Sequence, residues 1–194
     1  MTRSSEPQLA APGAGLPFPE LFIARRLFAL KCWRGDRESF VARFQEESVK
    51  IRDLIDSLPE SQRGEQVLIK RLRGMEDSSR NWSVWMTLDH LRITNTAFAH
   101  FISTLNKGKT PKIIADTAAV KPDPGVTVEI EEEFQKSCDA FLDAVENAAD
   151  LKTGFRHNHP WFGPLDAFHW LALASMHMGI HREQVAAIIS ALPQ

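Results

Sequence analysis

Seven histidines and no tyrosine make imidazole the side chain through which this chain could do site chemistry. His177 and His181 are four residues apart, so on a helix their rings stand roughly 40° apart and about 6 Å along the axis. H-x-x-x-H on one helix is a metal-ligand spacing, because both rings can point at a single ion. Trp170, Leu173, Ile180 and Ile188 fall beside the pair on the same helical wheel, an apolar stripe that directs both rings inward. Buried imidazoles need hydrogen-bond partners or a metal. His90 lies with Met86, Thr94, Ala97 and Phe101 on another inward stripe, so packing of the two helices could bring a third nitrogen to the pair. Three protein nitrogens plus an exchangeable position define an open site, as opposed to a closed structural one. The plain alternative is that His90 only satisfies a polar neighbour such as Thr94 or a buried water.

The rival site is His157-x-His159, in the run Arg156-His157-Asn158-His159-Pro160-Trp161-Phe162-Gly163, since H-x-H is also a ligand spacing. Its plain reading is a loop anchored by Pro160, Trp161 and Phe162, with His159 bonded to backbone. His169 lies about 12 Å along the axis from His177, and His100 about 15 Å from His90, so neither shares an ion with the triad. Gln184 lies within roughly 20° of His181 one turn on and is placed to orient that ring. Asp89 and Glu183 adjoin His90 and a turn of His181 but point elsewhere, as solvated or ion-paired groups. Trp85, Trp161 and Trp170 could line a pocket, although such spacings are more often core. Cys138 sits on an apolar stripe as a core thiol, and Cys32 closes a helix where it is expected to be partly exposed.

Helices must position these groups. Periodicity predicts a short helix over Pro19 to Trp33 ended by Gly35, then one from about Glu38 to Ser57 carrying Phe40, Phe44, Ile51 and Ile55, with Pro59 as stop. Glu60 to Gly74 has a weaker pattern and is expected as a short extra helix. Ser83 is the N-cap of a helix lasting to about Leu105. Residues 106–128, rich in Pro, Gly and Lys, form a long connection whose lysines solvate a turn. Glu129, Glu131, Glu132 and Glu133 open a helix whose dipole they complement, with Phe134, Cys138, Phe141, Val145 and Ala148 as its core stripe. A second irregular stretch, Asp150 to Gly163, precedes the last helix, about Leu165 to Ala191. The fold expected is all-α: a four-helix bundle with a long crossover connection and a short extra N-terminal helix.

The 194 residues, 43% of them hydrophobic, suffice for one sizeable core. A net charge of -2 argues against nucleic acid and acidic membranes as partners. Two cysteines exclude a disulfide framework and a four-cysteine zinc site. Residues 1–17, rich in Ser, Pro, Ala and Gly without an apolar h-region, are expected to be a flexible tail before one domain over 18–194, in a cytoplasmic protein. Homodimerisation suits a bundle of this size, but no heptad run specifies it.

Asn81-Trp82-Ser83-Val84-Trp85-Met86-Thr87-Leu88-Asp89-His90-Leu91 resembles the W-[ST]…H-L signature of DinB-like proteins. Met176-His177-Met178-Gly179-Ile180-His181-Arg182-Glu183-Gln184 resembles their H-x-x-x-H-x-x-Q signature. His159-Pro160-Trp161-Phe162-Gly163-Pro164-Leu165 and Trp170 are similar to the H-P-x-F-G…W run of one branch of that superfamily. The resemblance spans roughly Arg25 to Gln184 and departs from the pattern in an inserted stretch around 60–79. It implies a four-helix bundle holding one divalent metal, zinc or nickel, on His90, His177 and His181, with Gln184, His159, Trp161 and Thr94 beside it. It also implies a small-molecule substrate and a metal-dependent activity, either thiol-dependent transfer with a low-molecular-weight thiol cosubstrate or hydrolysis. The contrasting expectation is a bundle that binds metal or a small molecule without catalysis.

Overall fold

Three of the four bundle helices begin where a side chain accepts one of the first free backbone N–H groups. The computed structural model describes residues 8–193. After α1 (Phe18–Arg34), which opens on Pro19 instead of a side-chain cap, Asp36 starts α2 (Arg37–Asp56) through a capping box. Its carboxylate accepts from Ser39 N at 2.8 Å while Ser39 Oγ accepts from Asp36 N at 3.0 Å. A single turn, α3 (Glu60–Arg63), and two short strands, β1 (Val67–Leu68) and β2 (Asn81–Trp82), lead to Ser83. Ser83 Oγ accepts from Met86 N at 3.0 Å and starts α4 (Val84–Asn106). After the crossover come α5 (Glu129–Glu146), the hairpin β3 (His157–His159) and β4 (Gly163–Leu165), and α6 (Ala167–Ala191). Asp166 caps α6 by accepting from His169 N at 2.9 Å.

The bundle is formed by α2, α4, α5 and α6: α4 packs on both α5 and α6, and α2 packs on α6. Phe44 of α2 stacks on Phe141 of α5 at 4.3 Å between ring centroids, and both are fully buried. Phe134, Cys138, Phe141 and Val145 form the buried stripe of α5, as periodicity requires. Polar ties lock the helix ends. Arg37 donates to Ala148 O at 2.9 Å and Glu146 O at 3.0 Å, capping the C-terminal carbonyls of α5 from the start of α2. Glu131 holds Arg63 at 2.9 Å and the Trp85 indole N–H at 2.7 Å, so Trp85 serves the α4–α5 seam.

Four local expectations are corrected. The segment 60–74 is helical only over α3; beyond Gly64 the chain extends, and β1 pairs antiparallel with β2 (Val67 with Trp82, Leu68 with Asn81). Two apolar residues at helical spacing, one of them (Leu68) largely exposed, do not bury enough surface to hold a longer helix. The stretch 150–163 contains the first strand of a hairpin, with His157 paired to Leu165 and His159 to Gly163, turned by Gly163 at φ +73°. Cys32 is buried, its thiol pushed up to about 12 by burial, with the Asp166 charge adding to this. The first seven residues of the expected tail lie outside the described residues. Residues 8–17 are held: Ala10 N donates to Asp77 at 2.9 Å, Gly13 N to Glu76 at 3.2 Å, and Leu16 is buried. Among the described residues, no helix is long and apolar enough to cross a membrane.

Candidate metal centre

The inward stripes of α4 and α6 meet at three imidazoles. His177 and His181, one turn apart on α6, have ring centroids 4.4 Å apart, and His90 of α4 lies 5.0 and 4.5 Å from them. The Nε2 atom of His177 is 3.1 Å from the Nε2 atoms of both His90 and His181. One ligand atom from each residue lies within 4.8 Å of the others, and the group is the one metal-capable cluster of its kind among the described residues. His90 and His181 are buried, whereas His177 is partly exposed, so the cluster faces outward on the side of His177.

Hydrogen bonds fix which nitrogens carry protons. His90 Nδ1 meets the carbonyl of Val120 at 2.6 Å, so it must donate, leaving Nε2 with a lone pair. Gln184 Nε2 donates to Ser79 O at 2.7 Å, which turns Gln184 Oε1 toward His181 Nδ1 at 2.7 Å. That ring also donates from Nδ1 and presents a bare Nε2. Two lone pairs therefore converge on His177 Nε2, and a single proton there could satisfy only one of them. His177 Nδ1 is buried without a partner. Protonation is no remedy. Burial pushes His90 down to about 4, against the Val120 hydrogen bond and helped by the Lys121 charge. Burial and the neighbouring imidazoles hold His177 and His181 well below the ordinary histidine range. Neutral imidazoles with converging lone pairs fit one cation, and tetrahedral Zn–N bonds of about 2.0–2.1 Å imply nitrogens about 3.3 Å apart, close to the spacing found here.

Trp82 closes one side. Its ring lies 5.2 Å from His90 and is nearly parallel to His181 at 6.2 Å, while Lys121 sits over its other part at 5.6 Å. Sequence reasoning did not place Val120, Lys121 or Ser79 here, because they come from connections whose course has no periodic signal. Trp82 was visible only as part of a motif.

The remaining residues are distributed unequally. Gln184 is fully buried and bonded to His181. Thr94 Oγ1 donates to the carbonyls of His90 and Leu91 within its own helix, at 2.9 and 3.1 Å, and not to a ring. His159 accepts from Trp161 N at 3.0 Å and packs 5.6 Å from Trp170. Burial pushes it to about 4, with the His157 charge contributing. His157 packs tilted against Phe101, 4.6 Å between ring centroids, and does not join the triad. His100 is exposed and His169 is bonded to Asp166 at 2.6 Å. Trp161 donates no indole hydrogen bond to the site; its carbonyl accepts from Arg25. Asp89 is buried, paired to Arg92 at 2.6 Å and accepting from Asp123 N at 2.9 Å.

A four-helix bundle with three histidines gathered between two of its helices defines the class. The model of the DinB superfamily matches residues 43–185, and the chain belongs to that superfamily. In three dimensions it is similar to TT2238, a four-helix bundle protein, with a TM-score of 0.59 and 16% identity over 78% of this chain and 99% of that one. No curated protein matches this chain in sequence.

Proposed function

We propose that the chain is a metal-dependent enzyme of thiol-transferase or hydrolase type, acting on a small molecule in the cytoplasm with one divalent ion held by His90, His177 and His181. The observation that carries this reading is the pair of bare Nε2 atoms aimed at a third, in rings fixed from behind by Val120 and Gln184. All-nitrogen ligation by neutral imidazole suits zinc and nickel alike. When bound, such an ion would lower the pKa of a water or thiol in its open position, supplying a nucleophile near neutral pH. The chain's own contribution is orientation and exclusion. Val120 and Gln184 hold two rings by their Nδ1–H groups, Trp82 keeps water from the buried side, and the partly exposed His177 leaves access on the other. A low-molecular-weight thiol is the cosubstrate expected in the transfer reading.

Metal content of purified protein, measured by elemental analysis, tests the triad. Wild type should carry close to one zinc or nickel per chain, and His90→Ala, His177→Ala and His181→Ala should each lose most of it. Unchanged content in all three variants would overturn the assignment. Thiol conjugation by wild type that disappears in His90→Ala supports transfer. A non-catalytic metal-binding bundle is the second reading, favoured by one observation: both carboxylates adjoining the triad in sequence are already engaged, Asp89 by Arg92 and Glu183 by Arg182. A bound ion lacking any exchangeable water would select that reading.

A further inference from the structure

The cavity of about 440 Å³ on α6 lies away from the histidines. Met176, Gly179, Ile180 and Glu183 form its α6 wall, centred roughly 120° around the helix from the face of His177, His181 and Gln184. Arg43 and Glu47 of α2 and Leu72 and Arg73 of the α3–α4 connection complete it, with Arg182 at the rim. Its volume falls within the usual range for small-molecule sites, about 300–1,000 Å³, and its walls are mainly apolar with a few convergent charges.

The charges are not balanced. Arg182 uses both carboxylates of the cavity: its Nε meets Glu47 at 2.6 Å and its Nη2 meets Glu183 at 2.7 Å. Arg43 and Arg73 take part in none of the ion pairs among the described residues. Arg43 Nε is buried and has no hydrogen-bond partner. The guanidinium is only partly buried, but its Nε–H is shut off from water without an acceptor, and such donors are ordinarily paired. Gly179 makes room for this guanidinium, since a Cβ there would stand 3.2 Å from Arg43 Nη2 and 3.4 Å from Glu47 Oε1. Arg43 also lines an adjoining cleft of about 300 Å³ with Lys31 and Arg34, and no carboxylate lines that cleft. Cationic character thus extends along one side of a chain whose net charge is negative.

We propose that this cavity binds a small organic monocarboxylate, its carboxylate on Arg43 with Arg73 assisting and its apolar body against Leu72, Met176 and Ile180. Guanidinium groups pair with carboxylates through two parallel N–H donors, which is the partner Arg43 lacks. Glu47 and Glu183 in the walls disfavour a dianion such as phosphate. The site is separate from the three-histidine cluster and does not depend on a metal.

The experiment is a titration of the ¹⁵N-labelled protein with 4-phenylbutyrate and, in parallel, with the neutral 4-phenylbutanol. Saturable shifts of the Gly179 amide and the Arg43 Nε–H with the acid alone are expected, at unchanged metal content. Arg43→Gln should weaken binding at least tenfold, and Arg43→Lys should recover part of the loss. Arg73→Gln changes an exposed side chain, so it leaves the fold intact and should weaken binding about threefold. Shifts that map to another surface, equal response to the alcohol, or unchanged affinity in both the Arg43→Gln and Arg73→Gln variants would overturn the proposal.

Discussion

One amide, that of Gln184, joins the site to the segment before α4. Its Nε2 satisfies the Ser79 carbonyl and its Oε1 fixes the tautomer of His181, so both ends are committed and the side chain is fully buried. In Gln184→Ala the ring is free to turn and a buried carbonyl loses its donor. Partners behind metal-binding histidines typically contribute 10–100-fold in affinity, and a buried polar group left unsatisfied costs about 1–3 kcal/mol. Gln184→Ala should therefore bind zinc at least tenfold more weakly in a competition titration with a chelator and should also unfold at lower denaturant. Retention of wild-type zinc affinity would show that His181 is oriented by its packing on Trp82 alone. At this scale the sequence was informative wherever a helix carried the residue. His90, His177, His181 and Gln184 are related by α-helical geometry, which converts spacing into direction. Val120 acts through its backbone carbonyl, which any residue type provides, so its identity holds no signal.

The elements divide in the same physical way. The four bundle helices were legible from apolar stripes, and the Ser83 cap from a residue type with one favoured position. The insertion at 60–79 was not, because its order comes from contacts distant in sequence. Glu76 accepts from Gly13 N and Lys121 Nζ, the latter at 2.8 Å, while Lys121 also reaches Ser79 and covers Trp82. One buried carboxylate thus ties the N-terminal segment, the insertion and the crossover together behind the site. Burial alone would raise the Glu76 carboxyl, but the hydrogen bond and charge of Lys121, with Thr117 and Gly13 N–H adding to them, hold it below the ordinary value of 4.5. The unfolded chain then binds more protons than the folded one, so this contribution is complete above about pH 4.5 and is lost as pH falls through the lower folded value. Glu20, Asp77 and Asp166, also lowered, act in the same direction. Thermal unfolding midpoints should fall between pH 5 and pH 3, and Glu76→Gln, less stable at pH 7, should show a shallower fall. Parallel curves for the two proteins would exclude Glu76 as a contributor.

For the molecule as a whole, the unusual surface is the outer face of α1. Phe28 and Cys32 bury its inner side, whereas Phe18 and Trp33 are about four-fifths exposed and Phe22, Ile23 and Leu27 more than half. At ordinary side-chain areas these five present on the order of 600 Å² of apolar surface along the helix, comparable with the largest apolar patches of monomers, about 300–600 Å². A standard interface buries about 800 Å² per partner, so this face with its rim approaches what a stable pair needs. Arg26, over the Phe22 ring at 5.2 Å, lies within this face, and Arg34 stands beside Trp33 at 5.9 Å, so two guanidinium groups are interleaved with the aromatic rings. We propose that a second copy of the chain covers this face, α1 against α1, in a two-fold homodimer. Sedimentation velocity at about 50 µM should then give a dimer of the 21.9 kDa chain. Leu27→Glu should shift it to monomer without lowering helix content, because that side chain already faces away from the core. A wild-type protein that sediments as a monomer at this concentration, or a Leu27→Glu dimer, would remove α1 as the interface.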